Sequence, residues 1–357
     1  MEFNQEVRRA VACLADPRHF GGHPCAVEVI ETHFAWVFLV GSRAFKLKKR
    51  VYRGVMDYRT VASRKRACRA ELRLNRRLAP RVYVRVVALR RARDGSLSCA
   101  GGARIVDWLI EMRKLPRERA LDWLITASAI GPRDLGRIVA RLAAFFELAR
   151  PRPMTRRGYL SRLRRQIDDN ARELYARELG LNHRQVAELA QAQLRFLSEN
   201  PGLFAGRGAR LRDGHGDLRP EHVFLAGRSS EVCVIDCLEF DADLRRLDPA
   251  EEIAFLALEC ARLGRPWIGE TLIAEYRRIL RDPVPQALMQ FYLCRRAAVR
   301  AQVTAWHLCD ESFAGERRVW RARANSYLAD ALRFIRCASA RAPACVHNGA
   351  VPASVPQ

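Results

Sequence analysis

Asp217 sits in the stretch His215-Gly216-Asp217-Leu218-Arg219-Pro220-Glu221-His222-Val223, and a second acid, Asp236, follows nineteen residues later at the end of the apolar run Val232-Cys233-Val234-Ile235. A carboxylate on a turn, a short hairpin and a carboxylate closing a strand suit phosphoryl transfer. The first acid aligns an attacking hydroxyl, and the second holds the metal on the nucleotide phosphates. Such a reaction needs little covalent help from protein: it needs positioning, a metal, and positive charge on the phosphates.

Each requirement has a candidate. Asp217 is the candidate base; its plainer reading is a turn aspartate capping the next segment. Asp236 is the candidate metal ligand, since hard carboxylate oxygens suit Mg²⁺, against a strand-terminating turn acid. Glu239, three residues on, is a candidate for metal or substrate, or plain loop. Lys46 is the candidate phosphate-binding lysine, with Glu71 as its partner. Three of the five lysines stand at 46, 48 and 49 in a chain that otherwise uses arginine, which hints that a compact ammonium is wanted there. Lys48 shares a strand face with Lys46, so the assignment could slip by two. The plainer reading is a basic edge strand guarded against aggregation. Thr32-His33-Phe34-Ala35 would cover a nucleotide with backbone N–H groups, although it has no GxGxxG; His33 reads as a packing residue as readily as a binding one.

The elements that must position these residues follow from pattern. Residues 4–15 are expected to be helical. Val27 to Lys48 reads as a three-strand meander, broken at Thr32-His33 and turned at Gly41-Ser42. Residues 59–78 form a helix on which Ala67, Glu71, Leu74 and Leu78 share a face; a carboxylate among those neighbours needs a cation. Strands run through Val82 to Leu89 and Arg104 to Met112. Beyond Pro116 the pattern is helical, with a broad stripe of Leu135, Ile138, Val139, Leu142, Phe145 and Phe146, and a second helix from Arg184 to Phe196. The His215 motif and its hairpin interrupt the helices. They resume at Asp248-Pro249-Ala250-Glu251-Glu252, where an N-cap acid, a proline at the first position and helix-start glutamates agree, and continue to about Arg336. These elements predict an α+β, bilobal architecture: residues 1–114 a β-rich N-lobe, 115–339 an α-helical C-lobe joined through Glu111-Met112, and 340–357 a disordered tail. A cleft between lobes is where ligands usually sit.

Composition narrows the classes. At 357 residues the chain can bury a large core. The net charge of +24 comes from arginines spread along the whole chain, with no clustered stripe, interleaved aromatics or recognisable module, so no specific nucleic-acid role is expected. Eleven cysteines lack CxxC or zinc-finger spacing; Cys233 and Cys237, flanking Asp236, read as small core residues. No leader is evident, and Phe34 to Val40 is far too short to span a bilayer, so reduced thiols in the cytoplasm are the expectation, with no membrane partner.

Four stretches, Trp36 to Arg50 (WVFLVGSRAFKLKKR), Glu71 to Pro80 (ELRLNRRLAP), Asp213 to Leu225 (DGHGDLRPEHVFL) and Ile235 to Leu256, resemble the aminoglycoside phosphotransferase family of the protein-kinase-like superfamily, in order and at suitable spacing. The match is nearest a bacterial branch sometimes fused to a P-loop ATPase domain, whose GxxxxGK[ST] signature is absent here. The resemblance covers roughly residues 25 to 330. It implies a kinase-like fold, ATP or another nucleoside triphosphate, and Mg²⁺. It carries over Asp217 as base, Asp236 as metal ligand, Lys46 as phosphate ligand and Glu71 as its partner; Glu111 and Met112, at the join between the lobes, are candidates to contact the nucleotide. Arg219 stands where kinases with HRDLKPEN carry a lysine that touches the γ-phosphate. His222 replaces the asparagine usual as second metal ligand, and imidazole prefers softer ions than Mg²⁺. The implied activity is phosphorylation of a hydroxyl on a small molecule, with a weakly active pseudokinase or nucleotide-binding regulator as the alternative. A protein acceptor is disfavoured by the lack of an APE-type segment, and a polycationic aminoglycoside by the arginine-rich helices from about 262 to 336.

Overall fold

The computed structural model describes residues 11, 12, 14–16, 26–32, 34–54, 56–93, 95–99, 104–226 and 231–342. They form two compact units: Met1–Arg152 with Arg212–Asp282, and Pro153–Leu211 with Pro283–Gln357. The boundary expected between residues 114 and 115 lies inside the first unit. Every candidate site residue also belongs to that unit.

The first unit opens with strands β1 (Val27–Glu31), β2 (Ala35–Val40) and β3 (Arg43–Lys48), then the short pair β4 (Tyr52–Arg53) and β5 (Met56–Asp57). Helix α1 (Val61–Asn75) precedes β6 (Tyr83–Arg91), β7 (Leu97–Ser98) and β8 (Arg104–Arg113). Six of these strands make one antiparallel sheet in the order β1-β2-β3-β8-β6-β7, so β3 is flanked on both sides. Strand alternation divides the apolar residues cleanly. Ala44, Ile110 and Met112 join Cys68 of α1 on one face, while Phe38, Val40, Phe45, Leu47 and Leu109 pack together on the other. Each large apolar side chain so buried contributes about 1.5–3 kcal/mol.

Helix α1 starts where a reciprocal cap allows it. Ser63 N–H donates to Thr60 Oγ1 at 3.0 Å, and Thr60 N–H donates to Ser63 Oγ at 3.2 Å. The helix is shorter than the span 59–78: it ends at Asn75, and turns carry the chain to Pro80. The expected helix over 4–15 is helical at residues 11, 12 and 14, and its remainder lies outside the described residues.

The rest of this unit holds α2 (Leu121–Thr126), α3 (Pro132–Leu148), β9 (Arg212–Asp213), the hairpin β10 (Val223–Ala226) and β11 (Glu231–Val234), β12 (Arg246–Leu247), and, with α4 (Arg156–Leu174) and α5 (His183–Glu199) falling in the other unit, α6 (Pro249–Arg262) and α7 (Pro266–Ile279). Val223 pairs with Val234 in the hairpin, which brings the segment before it beside the segment after it. Helix α6 is buried along nearly its whole length. Gly269 lets α7 approach it: a Cβ there would lie 2.7 Å from the Ala257 carbonyl oxygen.

The second unit is helical: α4 (Arg156–Leu174), α5 (His183–Glu199), α8 (Gln286–Ala305) and α9 (Arg317–Arg341). Phe196 stacks on Phe291 at 5.0 Å with Phe204 edge-on to both. Helix α9 runs past the expected start of the tail at 340, and the tail from 343 lies outside the described residues. Among the described residues no helix is long and apolar enough to cross a membrane.

Asp248 caps α6 as the sequence predicted, its Oδ1 accepting from Ala250 N–H at 3.0 Å with Pro249 next in line. Asp248→Ala is therefore expected to lower stability by about 0.5–2 kcal/mol. Urea denaturation checks this, and an unmoved midpoint would contradict the cap.

Candidate active site

Alternation along β3 aims Lys46 and Lys48 the same way as Ala44, toward α1. The Glu71 carboxylate on α1 takes one lysine on each oxygen, Lys46 Nζ on Oε1 at 2.9 Å and Lys48 Nζ on Oε2 at 2.5 Å. Glu71 is fully buried, where an unpaired charge would cost several kcal/mol. The ambiguity between the two lysines thus has a structural answer: both use Glu71, and they part beyond it. Lys46 goes on to Asp236 Oδ1 at 2.5 Å, whereas Lys48 goes on to Glu239, which also accepts from the Tyr58 hydroxyl.

Two ammoniums here face three carboxylates, and the electrostatics follow. Burial alone would lower the Lys46 pKa, but Asp236 and Glu71 outweigh it and hold the ammonium charged well above the ordinary lysine range. Lys48 behaves alike, with Glu239 and Glu71 opposing burial. Burial pushes Asp236 and Glu239 upward, yet Lys46 and Lys48 respectively override it and keep both acids ionised. Burial is the chief reason the Tyr58 phenol rises far above its usual value, so it serves as a donor.

Asp236 occupies a left-handed position, φ 62°, which costs a residue with a Cβ of order 1 kcal/mol. Neighbours over-determine it. Asp236 N–H donates to Tyr83 Oη at 3.2 Å, Cys237 N–H to Asn75 Oδ1 at 2.9 Å, and Leu238 N–H to His215 O at 3.0 Å. Asn75 in turn donates to the Glu71 carbonyl at 2.9 Å, so one helix carries the lysines' partner and also holds the backbone beside Asp236.

The Asp217 loop is held by its backbone. Glu252, in the first turn of α6, accepts from His215 N–H at 3.0 Å and Gly216 N–H at 2.6 Å. Gly216 has φ 89°, a conformation that favours glycine. Arg77 donates to the carbonyls of Asp213 (2.7 Å) and Gly214 (2.9 Å), and Arg245 to Asp213 Oδ1 (2.9 Å) and Leu238 O (2.8 Å). His215 is fully buried between Ile235 O, 2.9 Å from Nε2, and the Asp217 N–H, which donates to Nδ1 at 3.3 Å.

His222 joins the two acidic motifs. Its Nδ1 donates to the Asp217 carbonyl at 2.9 Å, and its Nε2 lies 3.7 Å from Asp236 Oδ2. A carbonyl only accepts, so Nδ1 carries a proton, and Nε2 is the ring nitrogen that faces the Asp236 carboxylate. Arg219 stands 3.8 Å from Asp217 Oδ2 and is bonded to Glu221. The donor set fits a cation that arrives with its own ligands. Asp236 Oδ2 and His222 Nε2 face one another, the surroundings carry an excess of carboxylate, and among the described residues no three His, Cys, Asp or Glu side chains converge as a self-sufficient metal cage. Mg²⁺ is commonly held by one or two carboxylates plus phosphate oxygens and water.

The structure thus gathers Lys46, Glu71, Asp217, His222, Asp236 and Glu239, with Arg219 at the margin. It does not bring Glu111 to them, while Met112 shares the sheet face of Ala44 in the apolar cluster with Tyr83. Both lie inside β8, paired to β3 on one side and β6 on the other, and Glu111 faces away from Lys46, its carboxylate taken by Arg85 at 2.7 Å and Arg43 at 3.4 Å. The chain leaves the sheet three residues later, at Lys114-Leu115-Pro116. Thr32 closes the β1–β2 turn, its Oγ1 accepting from Ala35 N–H at 3.0 Å; His33 lies outside the described residues. Sequence reasoning missed Tyr58, Asn75, Tyr83, Arg77, Arg245 and Glu252. Asn75 had a signal, four residues after Glu71 on the same helix face; Tyr58, Tyr83 and Arg77 had none, because the groups they meet lie more than a hundred residues away.

A family model described as the phosphotransferase enzyme family matches residues 43–291. An uncharacterized protein of Mycobacterium tuberculosis strain H37Rv is 34% identical over 281 residues, 78% of this chain and 54% of that protein; an uncharacterized protein of Mycobacterium bovis matches to the same extent. The chain spans about half the length of these curated relatives. Among solved structures, a choline/ethanolamine kinase family protein from Mesorhizobium loti has a TM-score of 0.50 at 15% identity, covering 93% of this chain and 99% of that one. An ethanolamine kinase of Plasmodium vivax has a TM-score of 0.54 at 9% identity, covering 89% and 85%. At such identities the likeness is one of fold, and it is the expected kinase-like α+β fold.

Burial, aided by repulsion from His222, pushes the His215 pKa down from 6.5 to about 4. The folded protein keeps this ring neutral while the unfolded chain protonates it near 6.5. Its contribution to stability is therefore full above about pH 6.5 and is lost as pH falls toward 4, amounting to about 3 kcal/mol over that window. Denaturation of wild type and His215→Asn across pH 4–7 checks this. The wild type should show the steeper loss below pH 6.5, and equal slopes would contradict the assignment.

Proposed function

The chain belongs to the phosphotransferase enzyme family, and on that premise we propose that it transfers the γ-phosphoryl group of ATP, or of another nucleoside triphosphate, to a hydroxyl of a small molecule. One observation carries the reading. Lys46 is bonded at once to Glu71 and Asp236, and His222 links Asp236 to the Asp217 backbone, so three distant parts of the sequence share one small space. Asp217 accepts the proton of the acceptor hydroxyl as its oxygen bonds to the γ-phosphorus, and the bond from that phosphorus to the bridging oxygen breaks to release the nucleoside diphosphate. Lys46 holds the phosphates, with Glu71 fixing its ammonium, and Arg219 is placed to meet the transferring group. Mg²⁺, when bound with the nucleotide, supplies charge neutralisation on the phosphate oxygens, and Asp236 and His222 are the residues that would hold it.

The chain's net charge of +24 favours a hydroxylated metabolite or an anionic acceptor over a polycation. The free thiols of the described cysteines support work in the cytoplasm. The imidazole at His222 favours one second reading, a nucleotide-binding regulator with weak turnover. Both readings meet the same experiment: a metabolite screen for ATP consumption beside Asp217→Asn. Loss of the base should cut turnover about 100- to 10,000-fold while nucleotide binding persists in calorimetry. Equal consumption by wild type and variant would overturn the enzyme reading.

A further inference from the structure

Lys48 and Glu239 have no part in the transfer described above, yet they are buried ion-pair partners, with side chains 3% and 9% exposed. Charges taken that far from water persist only with specific partners, and the partners here come from β3, from α1 and from the segment just before α1. Lys48 has Glu71 Oε2 at 2.5 Å as well as Glu239. Glu239 also receives the Tyr58 hydroxyl, and the Lys48 ammonium lies 5.1 Å from the centre of the Tyr58 ring. The neighbouring Phe240 packs against the cluster of Met56, Tyr58 and Ala67. Asp236, three residues earlier, differs on each point: its side chain is 40% exposed, one oxygen meets Lys46, and the other faces His222.

We propose that Lys48 and Glu239 are positioning residues, a second lysine–carboxylate pair that ties the segment Asp236–Phe240 to β3 and keeps Glu71 charge-paired when phosphates draw on Lys46. Glu239 is thereby assigned no bond to metal or substrate. The geometry divides the labour between two acids three residues apart, Asp236 toward the reactants and Glu239 toward the sheet. The anchor matters because Asp236 holds a left-handed backbone, φ 62°, which persists only where its surroundings over-determine it. This inference rests on the phosphotransferase reading for its consequence.

Calorimetric titration of the full chain with Mn²⁺ and a non-hydrolysable ATP analogue tests it, since binding needs no turnover. Asp236→Asn should abolish the Mn²⁺ dependence of analogue binding. Glu239→Gln, which preserves shape, should keep that dependence but weaken binding about tenfold, as should Lys48→Met. The double variant should be no weaker than the worse single one, because both remove the same pair. Loss of the Mn²⁺ dependence in Glu239→Gln would make it a metal ligand and overturn the proposal, as would wild-type affinity in the single variants or additive effects in the double. Should Lys48→Met fail to fold, Glu239→Gln alone still decides through its affinity and Mn²⁺ dependence. A wild type that binds in this pattern but never turns over ATP would sink the phosphotransferase reading while leaving the positioning role standing.

Discussion

Glu71 is fully buried with an ammonium on each carboxylate oxygen, and the surrounding geometry is best understood as what this arrangement requires. A charge at that depth forces cations to it, and the only strand able to deliver two is one whose alternate residues are lysines facing the helix. The lysines bring a surplus positive charge that must itself be paired, which draws Asp236 and Glu239 from the segment after the hairpin. A helix, a strand and a loop distant in sequence are thereby bound through charge, in a region where apolar packing alone would give no directional preference.

The loop bearing Asp217 is secured differently. The backbone is what the protein grips: Glu252 takes two amide hydrogens, while Arg77 and Arg245 take carbonyls and Asp213. Close approach is part of the design, since a Cβ on Gly214 would stand 2.6 Å from the Glu252 carboxylate. His215, buried and neutral, fills the space between the two acidic segments and bonds each through their backbones.

Much of this was legible in order along the chain. The meander of three strands, the helix carrying Glu71, the hairpin after His222 and the capped start at Asp248 are local patterns of period two, period 3.6 or turn chemistry, and each lies close to where the pattern put it. The placement of Glu111 and Met112 as a connection did not match their surroundings: the strand expected to close at Met112 runs to Arg113, so both residues are paired within the sheet and the chain leaves it only at Lys114. Tyr58 and Tyr83 were invisible for another reason. An aromatic residue near a strand end reads as core, and nothing local says that its hydroxyl will meet an acid about 150 or more residues away.

The sequence by itself determined which groups were available and which elements would carry them, because helix and strand periodicity, caps and turns depend on neighbours within a few residues. It determined too that Glu71 required a cation. Only the tertiary structure decided that the one carboxylate serves two lysines, that these then part toward Asp236 and Glu239, and that the His222 ring stands between Asp217 and Asp236. Those choices turn on ångström separations between segments far apart in the chain, and electrostatic pairing in a buried site changes with such distances far more steeply than any local propensity can encode.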